Sequence, residues 1–199
     1  MRALLKFSNA VDWVNAQIGK YVIWLILAST VISAVNAVIR KVFNMSSNAY
    51  LEVQWYLFAA AFLLAAGYTL LHGEHVKIDV VSSKLSKRGQ IWIDIIGFSV
   101  FLTPVCLTIL YYGIPFFLQG YRSGEVSANA GGLIRWPVYA MIPLGFGLLL
   151  LQGWSELIKR IAFLKGLIDD PTAKKVEKTA EEELAEAIRR LAESKTSAG

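Results

Sequence analysis

Four stretches of this chain lack Asp, Glu, Lys and Arg for 18 residues or more: 21–39, 53–73, 95–121 and 136–155. At about 1.5 Å per residue, each is long enough to cross the roughly 30 Å hydrocarbon core of a bilayer as a helix. One such run could be a buried helix of a soluble protein. Four at even spacing leave that reading little room, and the composition agrees, with 55% apolar and 18% charged residues in a chain of 199. An all-α integral membrane protein with four transmembrane helices is the expected fold class. The single cysteine, Cys106, falls inside the third run, so no disulfide can form within the chain and a small apolar filler is its simplest role.

Taken in order, residues 1–20 place Leu4, Phe7, Val11, Val14 and Ile18 at steps of three and four. That is one stripe of a helix, with Lys6, Asn9, Asp12, Asn15 and Gln17 mostly off it, and it predicts an amphipathic helix lying on the membrane surface. A cleaved signal peptide is the rival, but the next run ends without a small-x-small cleavage pattern, which favours a retained first span. Spans are expected at about 21–39, 51–73, 91–118 and 136–158, forming one membrane domain over 21–160. Ser29, Ser33 and Asn36 share one side of the first span, and Ala61 and Ala65 give the second a small-xxx-small step, both suited to close helix packing. Pro104 and Pro115 predict a third helix that kinks or ends near the second proline. A flexible polar link is expected over 119–135, and an amphipathic connector at headgroup level over 74–90. Residues 161–199 read as a charged cytoplasmic tail, with a helix at about 180–193 suggested by Thr179 and Glu182 as a capping box ahead of Leu184, Ile188 and Leu191.

Orientation follows from the positive charges. Ten Lys and Arg flank the side holding both termini and the connector, against four on the other side, Arg40, Lys41, Arg122 and Arg135. The positive-inside rule therefore places both termini in the cytoplasm, and the six tryptophans fall where interface belts are expected. The net charge of +5 is dispersed among helix ends and implies no nucleic-acid partner.

The chemistry available is sparse. His72 and His75 are the only histidines and have no facing pair, so neither a metal site nor haem ligation is indicated. A triad drawn from Ser82, His75 and Asp79 would lie within one connector, and no enzyme activity is expected. Coupled pumps hold a carboxylate deep in the membrane, whereas Glu52, Asp94 and Glu156 lie at span ends where water or headgroups are expected to reach them. A scaffold or accessory subunit fits this pattern.

Several residues together resemble a known family. Glu52 opens the second helix, and Leu64-Ala65-Ala66-Gly67-Tyr68 follows on it. Gly73-Glu74-His75-Val76-Lys77-Ile78-Asp79 is similar to a Gly-x-His-Val-basic-aliphatic-Asp signature, and Trp136-Pro137 precedes Ile142-Pro143-Leu144-Gly145. In order and placement, over residues 40–156, they resemble the small membrane subunit, DctQ-like, of tripartite ATP-independent periplasmic (TRAP) transporters. The charged tail has no counterpart in that likeness. The resemblance implies a small scaffold subunit in the bacterial inner membrane, without a cofactor of its own. It would be partnered by a large multi-span membrane subunit carrying the substrate and sodium sites, and by a periplasmic substrate-binding protein that delivers an organic acid. Arg40, Arg122, Glu125 and Arg135 then become candidate contacts on the outer face. Glu52, His75, Asp79, Trp136 and Pro137 become the structural signature, with His75 and Asp79 pairing on the connector and Lys77 facing anionic lipid. A self-sufficient small carrier and an assembly subunit of another membrane complex stay open as alternatives.

Overall fold

The computed structural model describes residues 1–44, 47–73 and 85–171. Among them every regular element is helical: α1 (Arg2–Phe43), α2 (Asn48–His72), α3 (Lys87–Ser123) and α4 (Trp136–Leu164). All four are long and apolar enough to cross a membrane. A helix satisfies its backbone hydrogen bonds within one segment, which is what lets such apolar sequences enter lipid.

The ends follow local chemistry. α1 stops where Arg40 and Lys41 occupy the last turn, and Asn44 adopts a left-handed conformation (φ 53°). α2 closes on Gly73, φ 66°, whose N–H returns to the carbonyls of Thr69 and Leu70. Ser86 caps α3, its side chain accepting from the Gly89 amide at 3.3 Å. Pro137 lies in the first turn of α4, where its missing N–H costs nothing.

A helix lies over each of the four charge-free runs, with three differences from the expected organisation. First, no boundary exists at residue 20: Arg2–Phe43 is one helix of 42 residues, about 63 Å long at 1.5 Å per residue. Its buried residues Ser8, Asn15, Val22, Ser29 and Asn36 recur every seven positions, with Val11 between the first two. A strict period of seven keeps one edge of a long helix turned toward its neighbours. The edge that packs is thus largely polar and takes Val11 alone as a buried member of the expected stripe. Leu4, Phe7 and Val14 of the expected apolar stripe stay exposed.

Second, α3 runs through Pro115 to Ser123 rather than ending near the second proline. Its irregularity lies upstream, in a π-helical stretch at Gly97–Leu102. Pro104 has no N–H for the carbonyl four residues before it, and its ring would crowd that carbonyl. The widened turn moves the donors on by one residue: the Thr103 N–H bonds to the Phe98 carbonyl, and its hydroxyl joins the same oxygen at 2.8 Å. Third, the link between α3 and α4 is folded. Gly124 (φ 60°) ends α3, Val126 and Ile134 form an antiparallel bridge, and Gly131 (φ 70°) turns the tip.

α4 touches each of the other three helices, and α1 packs along α2. At Gly145 a Cβ would lie 2.7 Å from the Leu63 carbonyl oxygen, so the α2 and α4 backbones approach more closely than any side chain permits. By contacts the chain divides into Met1–Asp169, which holds the bundle, and Asp170–Gly199. The expected tail helix at 180–193, and the connector residues His75, Lys77, Asp79 and Ser82, lie outside the described residues.

Candidate functional site

Two polar clusters cross between helices, one at each end of the bundle. At the end bearing the α3–α4 loop, Asn48, Glu52 and Tyr56 stand four residues apart on one face of α2 and grip that loop at successive points. Asn48 Nδ2 donates to the Ala130 carbonyl at 3.4 Å, and the Tyr56 hydroxyl to the Ile134 carbonyl at 3.3 Å. Between them Glu52 is only 4% exposed. Its Oε1 accepts from Asn129 Nδ2 at 2.8 Å and from the Ser127 hydroxyl, and its Oε2 accepts from the Leu133 amide at 2.7 Å. Three donors on one carboxylate are what a buried anion requires. The hairpin adds its own ladder, with Ser127 N to Leu133 O and Arg135 N to Glu125 O, both at 2.9 Å.

The predicted outer residues fall around this clamp in different ways. Arg135 and Glu125 pair with each other at 3.3 Å, and the Tyr139 hydroxyl donates to the same Glu125 oxygen at 3.0 Å. The Tyr139 hydroxyl, and after it Glu125, hold the Arg135 guanidinium above its ordinary range. Trp136 and Pro137 form the first turn of α4, with the Trp136 ring edge-on to Tyr121 at 5.6 Å. Arg122 lines a shallow depression on α3 with Pro115, Leu118, Gln119 and Ser123. Arg40 is exposed in the last turn of α1.

At the opposite end the polar edge of α1 meets α4. Asp12 Oδ1 accepts from Ser155 Oγ at 2.7 Å and Gln152 Nε2 at 2.8 Å, while Lys159 Nζ lies 3.0 Å from Asp12 Oδ2. Ser8 and Ser155 hydroxyls meet at 2.6 Å, and Asn15 Nδ2 donates to Gln152 Oε1 at 2.9 Å. Glu156 is held by Lys159 and Arg160, and Arg160 continues to Asp94 of α3 at 2.9 Å with its guanidinium 4.7 Å from the centre of the Phe98 ring. One network therefore ties α1, α3 and α4.

These clusters correct the expectation that Glu52 and Glu156 reach water or headgroups. Both are buried and held by donors of their own chain, as a carboxylate taken out of water requires. Asn48, Tyr56, Ser127, Asn129 and Gln152 complete the clusters without belonging to any sequence motif, and the signal that marks two of them is the four-residue spacing of Asn48, Glu52 and Tyr56 on one face of α2.

Chemically, both clusters hold helices and a loop in place, and neither offers a reactive group to an open cleft. A family model described as tripartite ATP-independent periplasmic transporters, DctQ component, matches residues 29–163. No curated protein and no solved structure matches the chain. The matched residues begin within α1 and end in the last turn of α4, so they include the whole Glu52 clamp and the α3–α4 half of the second network. With well over half its length matched, the chain belongs to the DctQ component family of the tripartite ATP-independent periplasmic transporters.

Proposed function

We propose that this chain is the small, non-catalytic scaffold subunit of a sodium-coupled importer of an organic acid, a carboxylate in chemical class, in a bacterial inner membrane. It packs beside a large membrane subunit that carries the substrate and sodium sites, and a periplasmic binding protein brings the substrate. Both termini face the cytoplasm, which puts the Glu52 clamp and the folded loop at the periplasmic side. Arg40, Arg122, Glu125 and Arg135 then border the surface open to the binding protein.

The observation that carries this reading is how the charges are used. Glu52, Glu156 and Arg160 are the buried charged side chains among the described residues, and each is held by partners of the same chain near a helix end. A carrier that moves ions keeps an ionisable group accessible at membrane depth. A subunit that braces another needs none.

Reconstitution tests it. In proteoliposomes, uptake of the organic acid should require this chain, the large subunit, the binding protein and an inward sodium gradient together. Uptake by this chain alone would overturn the proposal in favour of a self-sufficient carrier.

A further inference from the structure

The least covered span is α3. Only 6% of its most apolar window is buried, against 17% in α1 and α2 and 33% in α4. What distinguishes its exposed face is polarity at depth. The third span, expected at about 91–118, has its midpoint near residue 105, as does the helix Lys87–Ser123. Tyr111 stands about 9 Å beyond that point at 1.5 Å per residue, inside the roughly 15 Å half-thickness of the core. Helical side chains lean toward the N-terminus, which carries the Tyr111 and Tyr112 rings back toward the middle of the bilayer. Both are strongly exposed, at 74% and 68%. They stack edge to face at 5.1 Å, and neither hydroxyl has a hydrogen-bond partner among the described residues.

Tyrosine belongs at the membrane interface, where its hydroxyl meets water. In hydrocarbon an unpaired hydroxyl is costly. The hydroxyls of Thr30 and Thr69 avoid this by bonding the carbonyl one turn back, at 2.9 and 3.0 Å. A tyrosine ring is too long and stiff to do the same. Pro115 adds to the deficit, since it has no N–H to give the Tyr111 carbonyl. By contrast, Val31, Val35, Phe58 and Phe62, exposed on α1 and α2, are hydrocarbon and suit lipid. The α3 face also ends in Arg122, which has no ion pair among the described residues, whereas Arg135 has one in Glu125.

We infer that the face of α3 carrying Thr108, Tyr111, Tyr112, Pro115 and Arg122 is the surface on which the large membrane subunit docks. Its occupant is a transmembrane helix with hydrogen-bonding side chains opposite the tyrosines and a carboxylate opposite Arg122. Lipid tails can supply none of these groups. This inference rests on the scaffold reading above.

Photo-crosslinking in the assembled complex tests it. With p-benzoylphenylalanine in place of Tyr111 or Tyr112, the large subunit should be captured, and with the probe at Val31 or Phe62 it should not. Substituting Tyr111→Phe and Tyr112→Phe keeps bulk and removes only the hydroxyls, so the abundance of this chain should hold. Recovery of the large subunit should fall about threefold per hydroxyl. Capture from Val31 or Phe62 instead, or of a second copy of this chain from Tyr111, would overturn the α3 assignment while leaving the scaffold reading intact. Failure of any large subunit to copurify with the unsubstituted chain would overturn both.

Discussion

Glu52 stands one turn into α2, beside an apolar run, and stays charged there because Ser127, Asn129 and the Leu133 amide all point at it. Glu52→Gln would turn an NH2 group toward donors, and Glu52→Ala would leave them without an acceptor. In either variant the Leu133 amide should exchange its hydrogen faster, by on the order of tenfold, while amides in the middle of α4 keep their rates. Unchanged exchange at Leu133 would mean that the loop is held by its own bridge alone. Arg160 is the matching residue at the other end. Arg160→Met leaves Glu156 and Asp94 without their fork, and breaking a buried pair in this way costs about 3 kcal/mol. Thermal unfolding in detergent should shift down accordingly, and Arg160→Lys should recover only part of the loss, since an ammonium cannot span both carboxylates in the same geometry. Glu52 could be singled out in the sequence as a residue of the family likeness, but its partners could not. They lie 75 to 81 positions away, and Ser, Asn and a backbone amide are what any polar loop contains.

Among the elements, α4 is the one against which the others are arranged, and its glycines differ in what they permit. A Cβ at Gly145 meets the Leu63 backbone, which cannot yield, whereas at Gly153 it meets the end of the Leu102 side chain, which can. Gly145→Val should therefore destabilise the bundle by about 2 kcal/mol or more, with Gly153→Ala clearly milder, both read from unfolding in detergent. Equal effects would mean that α2 can shift away from α4. The spans themselves were legible, because a helix in lipid must lack charge for about 20 residues and the sequence displays that directly. The extent of α1 was not. Its first 20 residues carry an apolar stripe that suggests a surface helix, and only the seven-residue recurrence of Ser8, Asn15, Val22, Ser29 and Asn36 shows that the same edge continues into the span. The π turn was hidden for a related reason: Pro104 signals a disturbed hydrogen bond, but not whether the helix answers by kinking or by widening.

For the molecule as a whole, the order of spans and the family could be read from the sequence. The folding of the 124–135 loop could not, since glycines and small polar residues suit a flexible link as well as a hairpin. Orientation makes a direct prediction. Ala128 is exposed near the tip of that loop and Cys106 is buried, so Ala128→Cys should react with an impermeant maleimide added to intact cells, and Arg2→Cys should react only after the membrane is opened. The reverse pattern would invert the topology. The central claim, that this chain braces a larger transport subunit, is tested most directly by extracting it in mild detergent from cells that express both subunits and measuring the mass of the purified complex. A stable complex of one small and one large subunit is the predicted result. Recovery of this chain free of the large subunit, as a monomer or an oligomer of itself, would contradict the account.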